Sequence, residues 1–205
     1  MKILIVSYLP SGQNSRTKKL VDTLIKNTKN KNQIEHLDLL QNKPDFVNKE
    51  NLEAYKLRNY KGETLSTNLQ ESIKTFDTMT QQFKSADLVV IAFPMYNFSL
   101  PGAIKAYFDS IMLKGETFDI GKKGFIGLMK GKKALILMSS GGIYKGENSK
   151  YDYATTLAKL EFEFMGFSDI KVVTAQGVDM DQTKVEQIIS DAQQEIVEVI
   201  NNWKL

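Results

Sequence analysis

Two kinds of hydrophobic pattern alternate along the chain. Continuous runs of β-branched and other apolar residues occur at "KILIV" (Lys2 to Val6), "ADLVVIAF" (Ala86 to Phe93), "KALILM" (Lys133 to Met138) and "IKVVTA" (Ile170 to Ala175). Strands covered on both faces read this way. "QIEHLDL" (Gln33 to Leu39) alternates more, as an outer strand would. Between the runs the period becomes helical. Leu20, Leu24 and Ile25 mark a first helix. Leu65, Leu69, Ile73, Phe76 and Phe83 share a face and predict a long second one. Ile104, Tyr107, Phe108 and Ile111 follow the i, i+3, i+4, i+7 spacing of a third. Leu157, Leu160 and Phe164 mark a fourth, with Gly166 placed to end it. Val185, Ile188, Ile189, Ala192, Ile196, Val199, Ile200 and Trp203 mark the last.

Strands separated by helices imply a parallel sheet with right-handed crossovers. The expected fold class is therefore α/β, a three-layer sandwich whose five-stranded parallel sheet carries helices on both faces. The flavodoxin-like strand order 2-1-3-4-5 suits that pattern. No repeat or low-complexity tract divides the chain, so residues 1–205 are expected to form a single domain. The segments from Leu40 to about Thr64 and from Leu113 to Gly131 exceed ordinary loop length, and such segments are usually functional or partly structured.

Composition narrows the function. The 42% hydrophobic content over 205 residues supports one ordinary core. Net charge is +3, from 27 basic and 24 acidic residues, and the lysines are scattered. Nucleic acid is not an expected partner, because neutralising phosphates needs clustered cations. With no cysteine there are no disulfides, thiolate nucleophiles or Cys-ligated metals. The first apolar run stops at Val6, too short for a secretory signal, and nothing approaches the roughly 18 apolar residues of a membrane helix. A soluble, cytoplasmic protein with no membrane partner is expected.

In such sheets ligands bind beyond the carboxyl ends of the strands at the switch point of the strand order, here between the first and third strands. Three loops leave that region. In "SYLPSGQNSRTKKL", Ser15, Arg16 and Thr17 fall where the first helix begins. Free N–H groups and the positive dipole end favour an anion there, and two hydroxyls with a guanidinium would complete a phosphate cradle. Taken alone, Ser15 reads as a plain N-cap. Neither GxGxxG nor a P-loop is present. In "SSGGIYKG", paired glycines let backbone approach a flat ligand, although Gly-Gly by itself equally makes a turn. The remaining loop spends Met95, Tyr96, Asn97 and Phe98 between Pro94 and the helix-starting Pro101. Met95 and Phe98 could be core plugs and Asn97 a turn residue. That accounts for each residue but less well for four together.

The stretches "PMYNF" (Pro94 to Phe98), "TFDIGKKGFIGLMKGKKALILMSSGGIY" (Thr117 to Tyr144) and "FMGFSDIK" (Phe164 to Lys171) resemble the FMN-dependent NADH-azoreductase family, flavodoxin-like quinone and azo reductases. The resemblance implies FMN as cofactor, its phosphate on Ser15, Arg16 and Thr17. Its ring would lie against Met95, Tyr96, Asn97 and Phe98 and against Ser139, Ser140, Gly141 and Gly142. It implies ping-pong transfer of two electrons from NADH, or NADPH, to a quinone or aromatic azo compound, with the flavin rather than a catalytic side chain doing the chemistry. It also implies a homodimer with active sites at the interface, for which Tyr55, Tyr60 and Phe118 are candidate contacts. The chain departs from the family at Leu9, where a small polar residue is usual, and at Ser140 and Tyr144, which stand in place of an Arg and a His. The lone His36 reads as structural, and Asp179 and Asp181 as a loop residue and an N-cap. Two other readings stay open. One is a flavodoxin-type FMN electron carrier, against which the pI near 8.8 argues. The other is a flavin-free relative of the same fold.

Overall fold

The continuous apolar runs become the inner strands of one sheet. The structure, a computed structural model, describes residues 1–205. In chain order the strands are β1 (Lys2–Ser7), β2 (Gln33–Asp38), β3 (Leu88–Pro94), β4 (Phe118–Gly121), β5 (Gly124–Gly127), β6 (Lys133–Ser140) and β7 (Asp169–Gln176). The helices are α1 (Arg16–Thr28), α2 (Lys49–Tyr55), α3 (Thr67–Ser72), α4 (Lys74–Ser85), α5 (Gly102–Ile111), α6 (Tyr153–Phe164) and α7 (Val185–Trp203). Five strands pair in the order β2-β1-β3-β6-β7, all parallel, which is the 2-1-3-4-5 order once the β4–β5 hairpin is set aside.

Side chains alternate between the faces of a strand, so each continuous run feeds two cores. Leu4, Val6, Val89, Ile91, Phe93 and Ile136 pack under α4, α5 and α6 in a cluster of 24 buried residues. Their neighbours Ile3, Ile5, Leu88, Val90, Leu135 and Leu137 pack under α1 and α7 in a second cluster of 21. β2 lies at the edge and is half exposed, as its alternation implies. No helix is long and apolar enough to cross a membrane.

Three expectations change. The second helix is not continuous: α3 and α4 meet at Ile73, whose backbone leaves helical geometry (φ −109°, ψ 1°), and Leu65 precedes both. Ser72 turns its hydroxyl back onto the Leu69 carbonyl at 2.9 Å, competing with the helical ladder. Ile73, fully buried, is drawn with Leu65, Phe76, Ala54 and Leu113 into a small separate cluster. In α6 the core face is Ala154, Ala158, Glu161 and Phe162, whereas Leu160 faces solvent at 59% exposure. The alanines allow close approach to the sheet, which a search for large apolar residues overlooks. Phe164 turns instead to the hairpin, with ring centres 4.9 Å from Phe118 and 5.1 Å from Phe125.

Both long segments carry structure. Residues 40–64 contain α2, closed at its start by reciprocal hydrogen bonds between Asn48 and Asn51, and a π-helical turn over Lys56–Tyr60. Residues 113–131 contain the β4–β5 hairpin, clamped to the end of α6 by the Met129 N–H to the Met165 carbonyl (2.8 Å). Gly127 and Gly166 touch there; a Cβ on Gly127 would lie 2.2 Å from the Gly166 nitrogen. Tyr55 and Phe118 pack within this chain, Tyr55 accepting the Lys114 N–H at 3.0 Å, while Tyr60 stays half exposed.

Candidate active site

The carboxyl ends of β1, β3 and β6 open onto a cleft of about 510 Å³. One wall is the start of α1. Ser15 is the N-cap, its Oγ accepting the Lys18 N–H at 3.2 Å. The N–H groups of Arg16 and Thr17 have no partner, as the first turn of a helix leaves them. Arg16 lines the cleft without a carboxylate partner, while Lys19 one turn away pairs with Glu186 at 2.9 Å. Thr17 does not reach the cleft surface. It is fully buried, its Oγ1 2.7 Å from the Ser139 Oγ, and so ties α1 to the end of β6.

The opposite wall follows β3. Met95 donates its N–H to the Ser139 carbonyl at 2.8 Å, holding the loop against β6. Tyr96 and Ser99 then exchange both backbone hydrogen bonds (3.2 and 3.0 Å) around Asn97 and Phe98, which both have positive φ, 48° and 69°. Positive φ at both central residues is the habit of a type I′ turn, where Asn is welcome and Gly usually follows. A Phe in that second place is strained, at a cost of about 1–3 kcal/mol. The turn leaves the N–H groups of Asn97 and Phe98 without partners. Of the two residues that could have been core plugs, Met95 does pack against the core under α4, α5 and α6, whereas Phe98 is 51% exposed, as is Tyr96 at 44%. Phe98 is gripped from outside by Tyr144 and Tyr151, with ring centres 6.0 and 6.1 Å away, and its carbonyl accepts the Tyr153 N–H at 3.0 Å. Burial raises the Tyr96 phenol pKa, with a smaller push from Tyr8.

The floor is the turn after β6. Ser139 and Ser140 are buried, and the Ser140 hydroxyl donates to the Gly142 carbonyl at 2.9 Å. The N–H groups of Gly141 and Gly142 are unpaired. Gly141 lines the cleft; Gly142 lies against the Tyr144 ring. The turn after β7 sits directly on this floor: the Gly177 and Val178 N–H groups donate to the Ser140 carbonyl at 2.9 and 3.2 Å. Asp179 is thereby brought over Gly141, where a Cβ would lie 2.5 Å from its Oδ2.

These walls place Ser15, Arg16, Met95, Tyr96, Ser139, Ser140 and Gly141 around one cleft, with Thr17, Asn97, Phe98 and Gly142 just behind or beside it. A family model described as flavodoxin-like fold matches residues 1–200. The chain belongs to that flavodoxin-like family. It is 33% identical over 201 residues, 95% of each chain, to an FMN-dependent NADH:quinone oxidoreductase of Coprothermobacter proteolyticus. To the protein of the same description from Azospirillum brasilense it is 32% identical, over 96% of each. Among solved structures, an azoreductase from Bacillus anthracis superposes with a TM-score of 0.89 at 25% identity, covering 98% of this chain and 99% of that one. An FMN-dependent NADH-azoreductase from Bacillus anthracis, in complex with FMN, gives 0.86 at 29%, covering 97% and 98%.

The cleft is also lined by residues that the sequence reading does not assign to it. Ser11 and Asn14 line the helix end, Ser11 before a 3-10 turn over Gly12–Asn14 and Asn14 closing it, and small polar residues beside Ser15 are a usable sign. Leu9, the departure from the family pattern, points into the core at 8% exposure. Asp179 gave no sign in the sequence, because only the β6–β7 pairing carries its loop over Gly141. Asp181 caps the next turn through the Thr183 N–H (3.0 Å). His36 sits on edge strand β2, its Nε2 2.8 Å from the Ser7 hydroxyl, and burial lowers its pKa. No group of three His, Asp or Glu side chains gathers that could hold a metal.

Proposed function

We propose that this chain is an FMN-dependent oxidoreductase that passes two electrons from NADH, or NADPH, to quinones or aromatic azo compounds. The observation that carries the reading is a cleft with unpaired N–H groups at Gly141 on its floor and at Asn97 and Phe98 beside it, whose far end is a free helix start with an unpartnered arginine. The volume, about 510 Å³, falls within the range of small-molecule sites. Relatives across nearly the whole length are FMN-dependent NADH:quinone oxidoreductases.

The residues present fit FMN. Ser15, Arg16 and the Arg16 and Thr17 N–H groups would hold its phosphate, and the helix dipole adds to their attraction. Met95, Tyr96, Asn97 and Phe98 would hold one side of the ring and Ser139, Ser140, Gly141 and Gly142 its edge. When bound, FMN supplies the two-electron chemistry that no side chain here could perform. The chain's part is positioning and charge. N–H donors fixed beside the ring would stabilise negative charge there without rearrangement, and the hold of Tyr144, Tyr151 and the Tyr153 N–H on Phe98 keeps the strained turn in place. Thr17, bonded to Ser139, holds the phosphate end and the ring end at a fixed separation.

The same reading takes residues 1–205 as one domain acting in the cytoplasm, where NADH is available, and as a homodimer whose subunits cover each other's clefts. Exposed Tyr96, Phe98, Tyr151 and Tyr153 around the mouth support that pairing. The test is a visible spectrum of the purified protein with FMN, then anaerobic NADH, then a quinone. Bleaching by NADH followed by reoxidation by the quinone is expected. A protein that binds no FMN would defeat the reading, and one that binds it but is not bleached would make it an electron carrier. Sedimentation of the FMN-loaded protein tests the dimer.

A further inference from the structure

Of the 12 residues that line the cleft, only two are charged: Arg16 at the α1 end and Asp179 on the turn after β7. The proposed function uses Arg16 and leaves Asp179 without a role. Asp181, further along the same turn, pairs with Lys184 at 3.3 Å and accepts the Thr183 N–H at 3.0 Å, whereas the Asp179 carboxylate has neither an ion pair nor a hydrogen bond.

That carboxylate is held in place by its backbone. The Gly177 N–H donates to the Ser140 and Gly142 carbonyls at 2.9 and 3.0 Å. The Val178 N–H donates to the Ser140 carbonyl at 3.2 Å, and the Asp179 N–H to the Gly141 carbonyl at 3.3 Å. Val178 is buried in the core under α1 and α7, and Gly177 takes the positive φ of 84° that the turn requires. The Asp179 Oδ2 therefore occupies the space over Gly141 that any side chain there would fill. In the oxidoreductase reading Gly141, with its free N–H, lies at the ring end of FMN. The cleft then has an unpaired cation at its phosphate end and a fixed, unpaired anion at its ring end.

We propose that Asp179 is the charge-selecting residue of this cleft. Its carboxylate disfavours further negative charge at the ring end, on reduced FMN as on an acceptor. It thereby selects neutral and cationic ring acceptors over sulfonated or carboxylated ones. The inference rests on the oxidoreductase reading and adds to it the charge class of the acceptor. Two unit charges about 7 Å apart, in a site partly open to water, alter an equilibrium constant by about threefold to tenfold. Acceptors of opposite charge respond in opposite directions, so the preference between them should carry about tenfold to a hundredfold.

The test compares the FMN-loaded protein with its Asp179→Asn variant, which removes the charge and keeps the shape. Acceptors are benzoquinones of one size carrying tert-butyl, trimethylammonium or sulfonate. Each is mixed with protein already reduced by NADH, so nicotinamide binding does not enter, and each is compared between the two proteins, so intrinsic reactivity cancels. The midpoint potential of bound FMN, measured without acceptor in mildly alkaline buffer, gives a readout independent of turnover. In Asp179→Asn the ratio of trimethylammonium to sulfonate rates should fall by about tenfold to a hundredfold, with the tert-butyl quinone changing least. The potential should rise by about 15–30 mV, which is threefold to tenfold at about 30 mV per tenfold for a two-electron couple. Added salt should narrow the ratio in the native protein. A ratio and a potential both unmoved in the variant overturn the assignment and leave the oxidoreductase standing. A raised potential with an unmoved ratio confines Asp179 to the cofactor and overturns the acceptor class. Loss of FMN binding in Asp179→Asn would make the residue part of the cofactor cradle and overturn charge selection. Failure of NADH to reduce FMN in the native protein overturns the oxidoreductase reading and the acceptor class together.

Discussion

At the α1 end of the cleft every group is held by ordinary secondary structure, whereas at the Tyr96–Ser99 end the backbone is bent against its preference. Ser15 is an N-cap that also presents an oxygen; Arg16 and Thr17 have free N–H groups because every helix start does. Asn97 and Phe98 have free N–H groups because a turn with positive φ holds them outward, and the aromatic grip of Tyr144 and Tyr151 keeps it there. A helix start can recognise a compact anion at no conformational cost. In the proposed function the Asn97 and Phe98 donors would address a flat ring, from positions that regular structure does not offer and the strained turn does.

The contrast can be broken at its electrostatic end first. Arg16→Ala should weaken FMN binding by about 10- to 100-fold, the worth of a hydrogen bond to a charged group, while riboflavin, which lacks the phosphate, binds as before. Fluorescence titration of both flavins measures this, and an equal loss for both would remove Arg16 from the phosphate. Next comes the link between the two ends. Thr17→Val leaves the buried Ser139 hydroxyl without its partner, and should lower stability by about 1–3 kcal/mol in urea unfolding.

Strain at the other end is read by comparing two variants. Both Phe98→Ala and Phe98→Gly lose the ring, but only glycine accepts positive φ freely. Phe98→Gly should be the more stable by about 1 kcal/mol, a higher Tm by about 2–4 °C, the reverse of their order in a helix. Equal stabilities would mean the turn is not strained. The smallest effect lies outside the cleft. The folded pKa of His36 is lowered, so the unfolded chain takes up its proton first as pH falls. Its contribution to stability is whole above the unfolded value of about 6.5 and is lost as pH drops from there towards the folded pKa. NMR titration of this single histidine should give a midpoint below 6.5 in the folded protein. A midpoint at or above it would show that burial does not govern the ring.

Much of the architecture was legible because parallel strands are buried on both faces and helices on one, and the two patterns differ in period. The five strands, their order and the last helix follow from that. The second helix was misread because its apolar spacing runs on through Ile73, and the break there comes from tertiary packing around Leu113 and Phe76. Leu160 was misread because Ala154 and Ala158 carry the α6 face. At the site, Ser15, Arg16 and the Gly141 turn could be named from the positions at which strands end. Asp179 could not, since its place depends on β7 lying beside β6.

The sequence by itself determined the sheet, the three loops that meet at its carboxyl edge, and the unusual chemistry of "PMYNF". Hydrophobic period and turn residues are local properties, and those features are written locally. Only the tertiary structure decided that Thr17 belongs to the frame rather than the surface and that Phe98 is held in a left-handed conformation. Each depends on contacts between residues far apart in the chain, Thr17 with Ser139 and Phe98 with Tyr144, which no local pattern can record.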